Sequence, residues 1–432
     1  MENSLNEFED DFLLNELLTK AVENNEPENV KLRISQGANI HYRNGLAIII
    51  SCRDGNVDMV KFLLELGADV HAQEESSLDT AALHGRIDVV KLLIEAGANI
   101  HYDNDDILYQ CTKNNQPDVI KILLEAGVNI NNCKRSFLIS CEKGYYHIAK
   151  LFIETCNNVA SDNPDALIVA AQNGHTSVVR LLLESGADVH AAASKEIVAL
   201  YNLFLLDFDI TMMKSGKYFD NPRDCALLWS TYNGHIDVVK VLIEFGADIH
   251  LYDGDIILIL AVNKGYIDIV KLFIDTSKFS QKTLNTALMR SFFSKRKDIF
   301  NFLLNSGANF KDIMLSAAES SAMCGELDNL KICVENGFDL ASIANKLFND
   351  AIIYDNPTIL EYLLDSQIPF NVFDDNDDLL DGMVKSRNTD TIIHLLLKND
   401  VISNTILDKL YEKAKIYNNT YLKELLDNHY RA

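Results

Sequence analysis

The chain has 432 residues and carries 63 acidic against 39 basic side chains, a net charge of −24. That balance repels phosphate backbones and anionic bilayers, so neither a nucleic acid nor a membrane surface is expected as partner. The longest uninterrupted apolar run, Ile256 to Val262, is far too short to span a bilayer.

From the N-terminus, the opening is acidic (Glu7, Glu9, Asp10, Asp11) where an export signal would be basic and then apolar. The expected location is the cytoplasm. The eight cysteines fall into no paired short motif and read as reduced core thiols. From Gly37 onwards a phrase takes over: Gly-Ala-(Asn/Asp)-(Ile/Val)-His. It starts at Gly37, Gly67, Gly97, Gly186 and Gly246, with looser copies at Gly127, Gly307 and Gly337. Gly37, Gly67, Gly97 and Gly127 are evenly spaced, and the later starts keep the same step or a multiple of it to within one residue. A fixed period of about 30 residues means stacked supersecondary units, not a globule around one core.

The stretch 227–250 shows one unit. A first helix runs from about Ala226 to a stop at Gly234, suited to the left-handed turn that closes a helix. Asp237, three residues on, is placed to cap a second helix whose stripe is Val238, Val239, Leu242 and Ile243. Gly246 ends it. The stop recurs at Gly55, Gly85, Gly144, Gly174, Gly265 and Gly325, and an acid or hydroxyl follows three later at Asp58, Asp88, Ser177, Asp268 and Asp328. Small residues precede the stop: Ser51 and Cys52, Ala81 and Ala82, Ser140 and Cys141, Ala170 and Ala171, Ser230 and Thr231. They predict close approach of neighbouring first helices, which a larger side chain would pry apart. Base-before-acid pairs four apart, such as Lys61–Glu65, Arg180–Glu184 and Lys240–Glu244, predict a solvated back face.

GHIDVVKVLIEFGADIH (234–250) and GRIDVVKLLIEAGANIH (85–101) resemble the second half of an ankyrin repeat, and the match runs through nearly the whole chain. The resemblance implies an all-α fold: an elongated ankyrin-type solenoid of about 12–13 stacked helix-turn-helix repeats with short loops. The first half of the unit departs from the family, whose repeat is longer, about 33 residues, and opens with Thr-Pro-Leu-His. Here Cys225-Ala226-Leu227-Leu228 or Ser76-Ser77-Leu78-Asp79 stands in that place, so the finger between repeats is shorter and less stiff. The short period and the Asn-, Ile- and Asp-rich wording look like the ankyrin proteins of giant amoeba-infecting DNA viruses.

The expected organisation is an acidic segment and capping repeat over 1–36, regular repeats over 37–190, a degenerate repeat over 191–220, further repeats over 221–340, degenerate repeats over 341–404 and a cap over 405–432. Gly186 and Gly246 are two periods apart, so a hidden copy is expected in 193–220. Its aromatics, Tyr201, Phe208, Tyr218 and Phe219, read either as filling for a wider gap or as secondary partner-binding anchors. This copy is also the candidate hinge. Asn356-Pro357 and the acidic run Asp374, Asp375, Asp377 and Asp378 mark the roughest stretch, a solvated loop or a contact for a basic partner or a cation.

No phosphate loop, metalloprotease helix, nucleophile elbow or Cys-x-x-Cys pair is present, and no enzyme activity, cofactor or metal is expected. Histidines 41, 71, 101, 190 and 250 repeat one per unit, at the roughly 8–10 Å spacing of packed helices, too far apart to share a zinc ion. They read as loop braces. The resemblance places partner binding at the loop tips and inner-helix face. By register the tips hold Tyr42-Arg43-Asn44, Ala72-Gln73-Glu74, Tyr102-Asp103-Asn104, Asn132-Cys133-Lys134-Arg135 and Leu251-Tyr252-Asp253. The candidate partner-binding residues are Tyr42, Arg43, Tyr102, Asp103, Lys134, Arg135, Tyr252 and Asp253. The expected function is a monomeric protein–protein interaction scaffold for a protein partner of the host. The alternatives are a structural or virion-packaged protein, or a ubiquitin-ligase substrate receptor, although the tail from Thr405 lacks a leucine-proline F-box opening.

Overall fold

The computed structural model describes residues 2–431 apart from 103–105, 129–132, 193, 195–224, 251–255, 374–376, 387 and 400. Every regular element among the described residues is a helix. They come in antiparallel pairs, an inner helix followed by an outer one. The chain divides into two compact units, Met1–Ile257 and Leu258–Ala432, the division falling inside the helix Ile256–Lys264.

In the first unit seven pairs are described, from Glu2–Glu23 with Pro27–Ser35 to Cys225–Asn233 with Ile236–Glu244. The sequence explains each boundary. Outer helices such as Ile236–Glu244 bury Val238, Val239, Val241 and Leu242 on one stripe. Proline, whose missing N–H costs nothing in a first turn, opens the helices at Pro27, Pro117 and Pro164. The small residues before the stop are buried as expected: Cys52, Ala81, Ala82, Cys141, Ala170 and Ala171 are fully enclosed. Burial pushes the thiols of Cys52, Cys111 and Cys141 up to about 12, so they are inert packing groups. All eight cysteines are free and only Cys324 is exposed.

The stop residue closes more than its own helix. Gly174 has φ +76, and a Cβ there would lie 2.7 Å from the His235 ring. That ring belongs to the residue after the next stop, and its Nε2 reaches the Gln172 carbonyl at 2.8 Å. The same link recurs from His175 to the Glu142 carbonyl and from Arg86 to the Arg53 carbonyl, both at 2.8 Å. These repeats are thus bonded to the open carbonyls ending the inner helix before them.

This corrects the capping expectation. The capping position is the residue directly after the stop, and among the described outer helices Asn56 and Asn419 are the ones there that accept a first-turn amide, those of Met59 at 3.1 Å and Leu422 at 3.0 Å. Asp58, Asp88 and Asp237 sit second in their helices, where they complement the helix dipole without capping. The outer-face charges are also paired differently. Arg180 forks onto Glu244 at 3.0 and 2.7 Å instead of meeting Glu184, and Lys240 bonds Asp237 at 3.3 Å.

Arg180–Glu244, His235–Gln172 and Asn233–Gln172 are among the links that span 193–220. Helix Pro164–Gln172 packs on Cys225–Asn233, and Thr176–Glu184 on Ile236–Glu244. The repeats on either side of 193–220 therefore stack directly on each other. A helix pair inserted between them, as the spacing of two periods suggested, is excluded by those contacts. Tyr201, Phe208, Tyr218 and Phe219 lie outside the described residues.

The second unit continues with six pairs, from Ile256–Lys264 with Ile267–Thr276 to Asn404–Ile416 with Thr420–Arg431. Where glycine thins out, the left-handed stop is taken by Lys295 (φ +56), Asp355 (φ +64) and Asn418 (φ +56). The expectation of a rough stretch at 356–357 is corrected. Pro357 opens an ordinary outer helix, and Asn356 Nδ2 donates to the Ala322 and Met323 carbonyls at 2.8 and 2.9 Å. Asp377 and Asp378 occupy the first turn of Asp377–Lys385, a placement the helix dipole favours; Asp374 and Asp375 lie outside the described residues.

Candidate partner-binding face

The face is built from the fingers of the first unit, each set by the phrase that repeats. In Gly-Ala-(Asn/Asp)-x-His, the Asn or Asp side chain accepts the histidine backbone N–H two residues on. The distances are 2.9 Å at Asn39, 3.0 Å at Asp69 and Asn99, 2.9 Å at Asp188 and 2.8 Å at Asp248. This turn, closed by the side chain in place of a backbone bond, explains why the slot holds only Asn or Asp. The inner helix then holds the following finger from behind. Asn15 Oδ1 accepts the Asn39 amide at 2.7 Å and Glu75 Oε2 the Asn99 amide at 3.0 Å.

Two fingers make an unusually tight turn. Arg43, Asn44 and Gly45 are all left-handed, as are Gln73, Glu74 and Glu75. Gln73 Nε2 donates to the Arg43 carbonyl at 2.8 Å, which ties one finger to the next. Gly45 is required because a Cβ there would come within 2.5 Å of Ala72 Cβ.

Glu75 is 4% exposed, and its Oε1 lies 2.5 Å from His71 Nδ1. The hydrogen bond to this carboxylate, more than its charge, raises the His71 ring above its usual value. A group whose pKa is raised on folding stabilises the fold below its unfolded value. That contribution is lost as pH rises through the folded one. His71 is therefore expected to titrate above about 6.5 in an NMR pH series, and Glu75→Gln to return the midpoint towards that value. An unchanged midpoint would show that the pair contributes nothing.

The candidate side chains fall into one row, and each described one is fastened to the repeat before it, apart from Lys134. Tyr42 donates its hydroxyl to Glu16 at 3.0 Å, and Arg43 meets the same carboxylate at 3.1 Å with 55% of its side chain exposed. The Tyr102 hydroxyl donates to Glu74 at 2.6 Å. The Arg135 guanidinium lies 3.7 Å over the Tyr109 ring. Lys134 and Arg135 were expected in a loop. The structure places both, exposed, in the first turn of the inner helix Cys133–Lys143. Asp103, Tyr252 and Asp253 lie outside the described residues.

Sequence reasoning missed the anchors Glu16, Glu74 and Tyr109. The signal was present, since each lies a little under one period before its partner (Tyr42, Tyr102 and Arg135), and hence in the neighbouring repeat.

The helix pairs and the Asn/Asp turn agree with comparison to known proteins. A family model described as "Ankyrin repeats (3 copies)" matches residues 18–104, 108–193 and 227–314, more than half of the chain. The chain belongs to the ankyrin-repeat family. The second and third matched blocks bracket the interval that the ankyrin stack skips. Residues of this ankyrin protein are 28% identical over 156 positions to an ankyrin repeat and KH domain-containing protein of Caenorhabditis briggsae, covering 32% of this chain and 6% of that one. They are 26% identical over 201 positions to the ankyrin repeat and KH domain-containing protein mask-1 of Caenorhabditis elegans, covering 44% and 8%. A putative ankyrin repeat protein, L72, of Acanthamoeba polyphaga mimivirus is 26% identical over 163 positions, covering 36% and 38%. The chain thus spans less than a tenth of the length of the nematode proteins, and it has a giant-virus relative.

Among solved structures, the human ASB11 ankyrin repeat domain is 19% identical with a TM-score of 0.35, covering 47% of this chain and 84% of that one. An ankyrin repeat domain from Acinetobacter baumannii AYE is 24% identical with a TM-score of 0.34, covering 40% and 98%. No helix among the described residues is long and apolar enough to cross a membrane.

Proposed function

We propose that this ankyrin protein is a non-enzymatic, monomeric scaffold that holds a host protein against the finger turns and inner helices of residues 1–257. Ankyrin repeats are in general protein–protein interaction modules, and the family is the first support for the reading. The observation that carries the placement is the fastening of the finger side chains. Tyr42, Arg43, Tyr102 and Arg135 are anchored by Glu16, Glu74 and Tyr109 while their outer surfaces stay open. An ordered aromatic or guanidinium loses less rotamer freedom on binding than a free one, so more of its contact energy appears as affinity. The viral relative supports a host protein as the partner. Asp103, Lys134, Tyr252 and Asp253 extend the same row by register.

The test is affinity capture from amoebal lysate with the intact chain beside a variant carrying alanine at Tyr42, Arg43, Tyr102, Arg135 and Tyr252. The expected result is a protein retained by the first and lost by the second, with both variants equally helical. A partner retained equally by both would take the site away from the fingers. Failure to retain any protein, with the chain abundant in virus particles, would overturn the scaffold reading.

A further inference from the structure

One outer helix of the first unit ends unlike the others. The helices ending at Glu65, Glu95, Glu125, Glu184 and Glu244 are each followed by a residue in near-helical backbone and then by a left-handed glycine. Tyr146–Thr155 is followed instead by Cys156 in extended backbone, with ψ 112, and Asn157 stands where the glycine would fall. The slot that Cys156 occupies holds Leu66, Ala96, Ala126, Ser185 and Phe245 elsewhere, all of which keep some exposure. Cys156 is turned inward and buried.

There its thiol meets that of Cys133. Cys133 is the first residue of the inner helix Cys133–Lys143, which packs on Tyr146–Thr155 in the same repeat. The Cys156 S–H donates to Cys133 Sγ, and this bond lowers the Cys133 pKa from the usual thiol value while raising that of Cys156. The charge of Lys134 lowers Cys133 further, and the start of a helix acts in the same direction. One thiol is thus disposed to ionise while the other keeps its proton. Nor does the pair lie deep in the core with Cys111 and Cys141. Exposed Lys134 and Arg135 follow Cys133, and exposed Asn157 and Asn158 follow Cys156. The end of a helix opens more readily than its middle, so a small oxidant reaches Cys133 without global unfolding.

We infer that Cys133 and Cys156 form a reversible dithiol–disulfide site whose oxidant is a small hydroperoxide. With hydrogen peroxide, the Cys133 thiolate attacks one oxygen and the O–O bond breaks. The other oxygen takes a proton from solvent and leaves as water, and Cys133 becomes a sulfenic acid. Cys156 Sγ then attacks Cys133 Sγ, so that an S–S bond forms and the S–O bond breaks. The departing hydroxide takes up the Cys156 proton and leaves as a second water. The two thiols lose two electrons and the peroxide gains them. The bond ties the start of the inner helix to the end of the outer one, beside Lys134 and Arg135. It depends on no partner protein, so its success or failure leaves the scaffold reading untouched.

The experiment treats the reduced full chain with hydrogen peroxide, then unfolds it, alkylates it with N-ethylmaleimide and weighs it. Alkylated thiols should fall from eight to six, a digest should join the Cys133 and Cys156 peptides, and dithiothreitol should restore all eight. Cys156→Ser should accumulate a sulfenic acid at Cys133 that dimedone labels, and Cys133→Ser should leave Cys156 unlabelled. Chain oxidised in urea should lose the preference for this pair. The wild-type measurement decides the pairing even where a serine variant fails to fold. The inference is overturned if the folded wild type keeps eight thiols, if Cys133 bonds another cysteine, or if the urea-unfolded chain forms the same bond as selectively. It is overturned equally if dimedone misses Cys133 in a folded Cys156→Ser or labels Cys156 in Cys133→Ser.

Discussion

Gly174→Val is expected to destabilise the first unit by about 3 kcal/mol, from left-handed backbone strain of ~1–2 kcal/mol and a clash of similar size. A β-branched side chain at φ +76 is strained wherever it occurs. Its Cβ would also meet the His235 ring at 2.7 Å, and that ring cannot move aside without leaving the Gln172 carbonyl. His235→Ala alone should cost only about 1 kcal/mol, the net worth of one hydrogen bond. The double variant should be about 1 kcal/mol more stable than the sum of the two, since removing the ring relieves the clash. Urea titrations of the four proteins measure this coupling. Strict additivity would mean that Gly174 and His235 do not touch, and would remove the direct stacking of the repeats that flank 193–224.

Ala171→Leu is the second large effect, about 1–3 kcal/mol of destabilisation by overpacking. Ala171 is fully buried, and its helix Pro164–Gln172 packs against Cys133–Lys143 on one side and Cys225–Asn233 on the other. Both neighbours are themselves held by interrepeat bonds, His175 to the Glu142 carbonyl and His235 to the Gln172 carbonyl. The added methyl groups have no gap to enter, so the inner helices must separate. Loss of stability should come with faster exchange of the amides in 164–172 and 225–233. A variant as stable as the wild type would show that the small residue is not what sets the spacing.

Much of the architecture was legible because it is local. The left-handed stops, the stripe of Val238, Val239 and Leu242, and the small pairs such as Ala170–Ala171 each follow from what one or two turns of helix can tolerate. The finger row was legible in part, since the period assigns Tyr42, Tyr102 and Arg135 to equivalent fingers. That Lys134 and Arg135 lie in a helix was not legible, because a polar segment between two helices reads as loop until its neighbours show where the next helix starts.

By itself the sequence determined the family, the helix pairs and where most of them stop, through a period and a set of left-handed positions that depend on neighbouring residues only. The tertiary structure alone decided what the positions after each stop do, and which repeats touch. His235 caps nothing because the Gln172 carbonyl, far away in sequence, is the better-placed partner. Arg180 forsakes Glu184 for Glu244 because adjacent outer helices bring a whole carboxylate within reach of its planar fork. The interval from Gly186 to Gly246 is consistent with either an extra repeat or a single skipped one. Only the contacts between Pro164–Gln172 and Cys225–Asn233 distinguish them, since a period counts residues and packing joins surfaces.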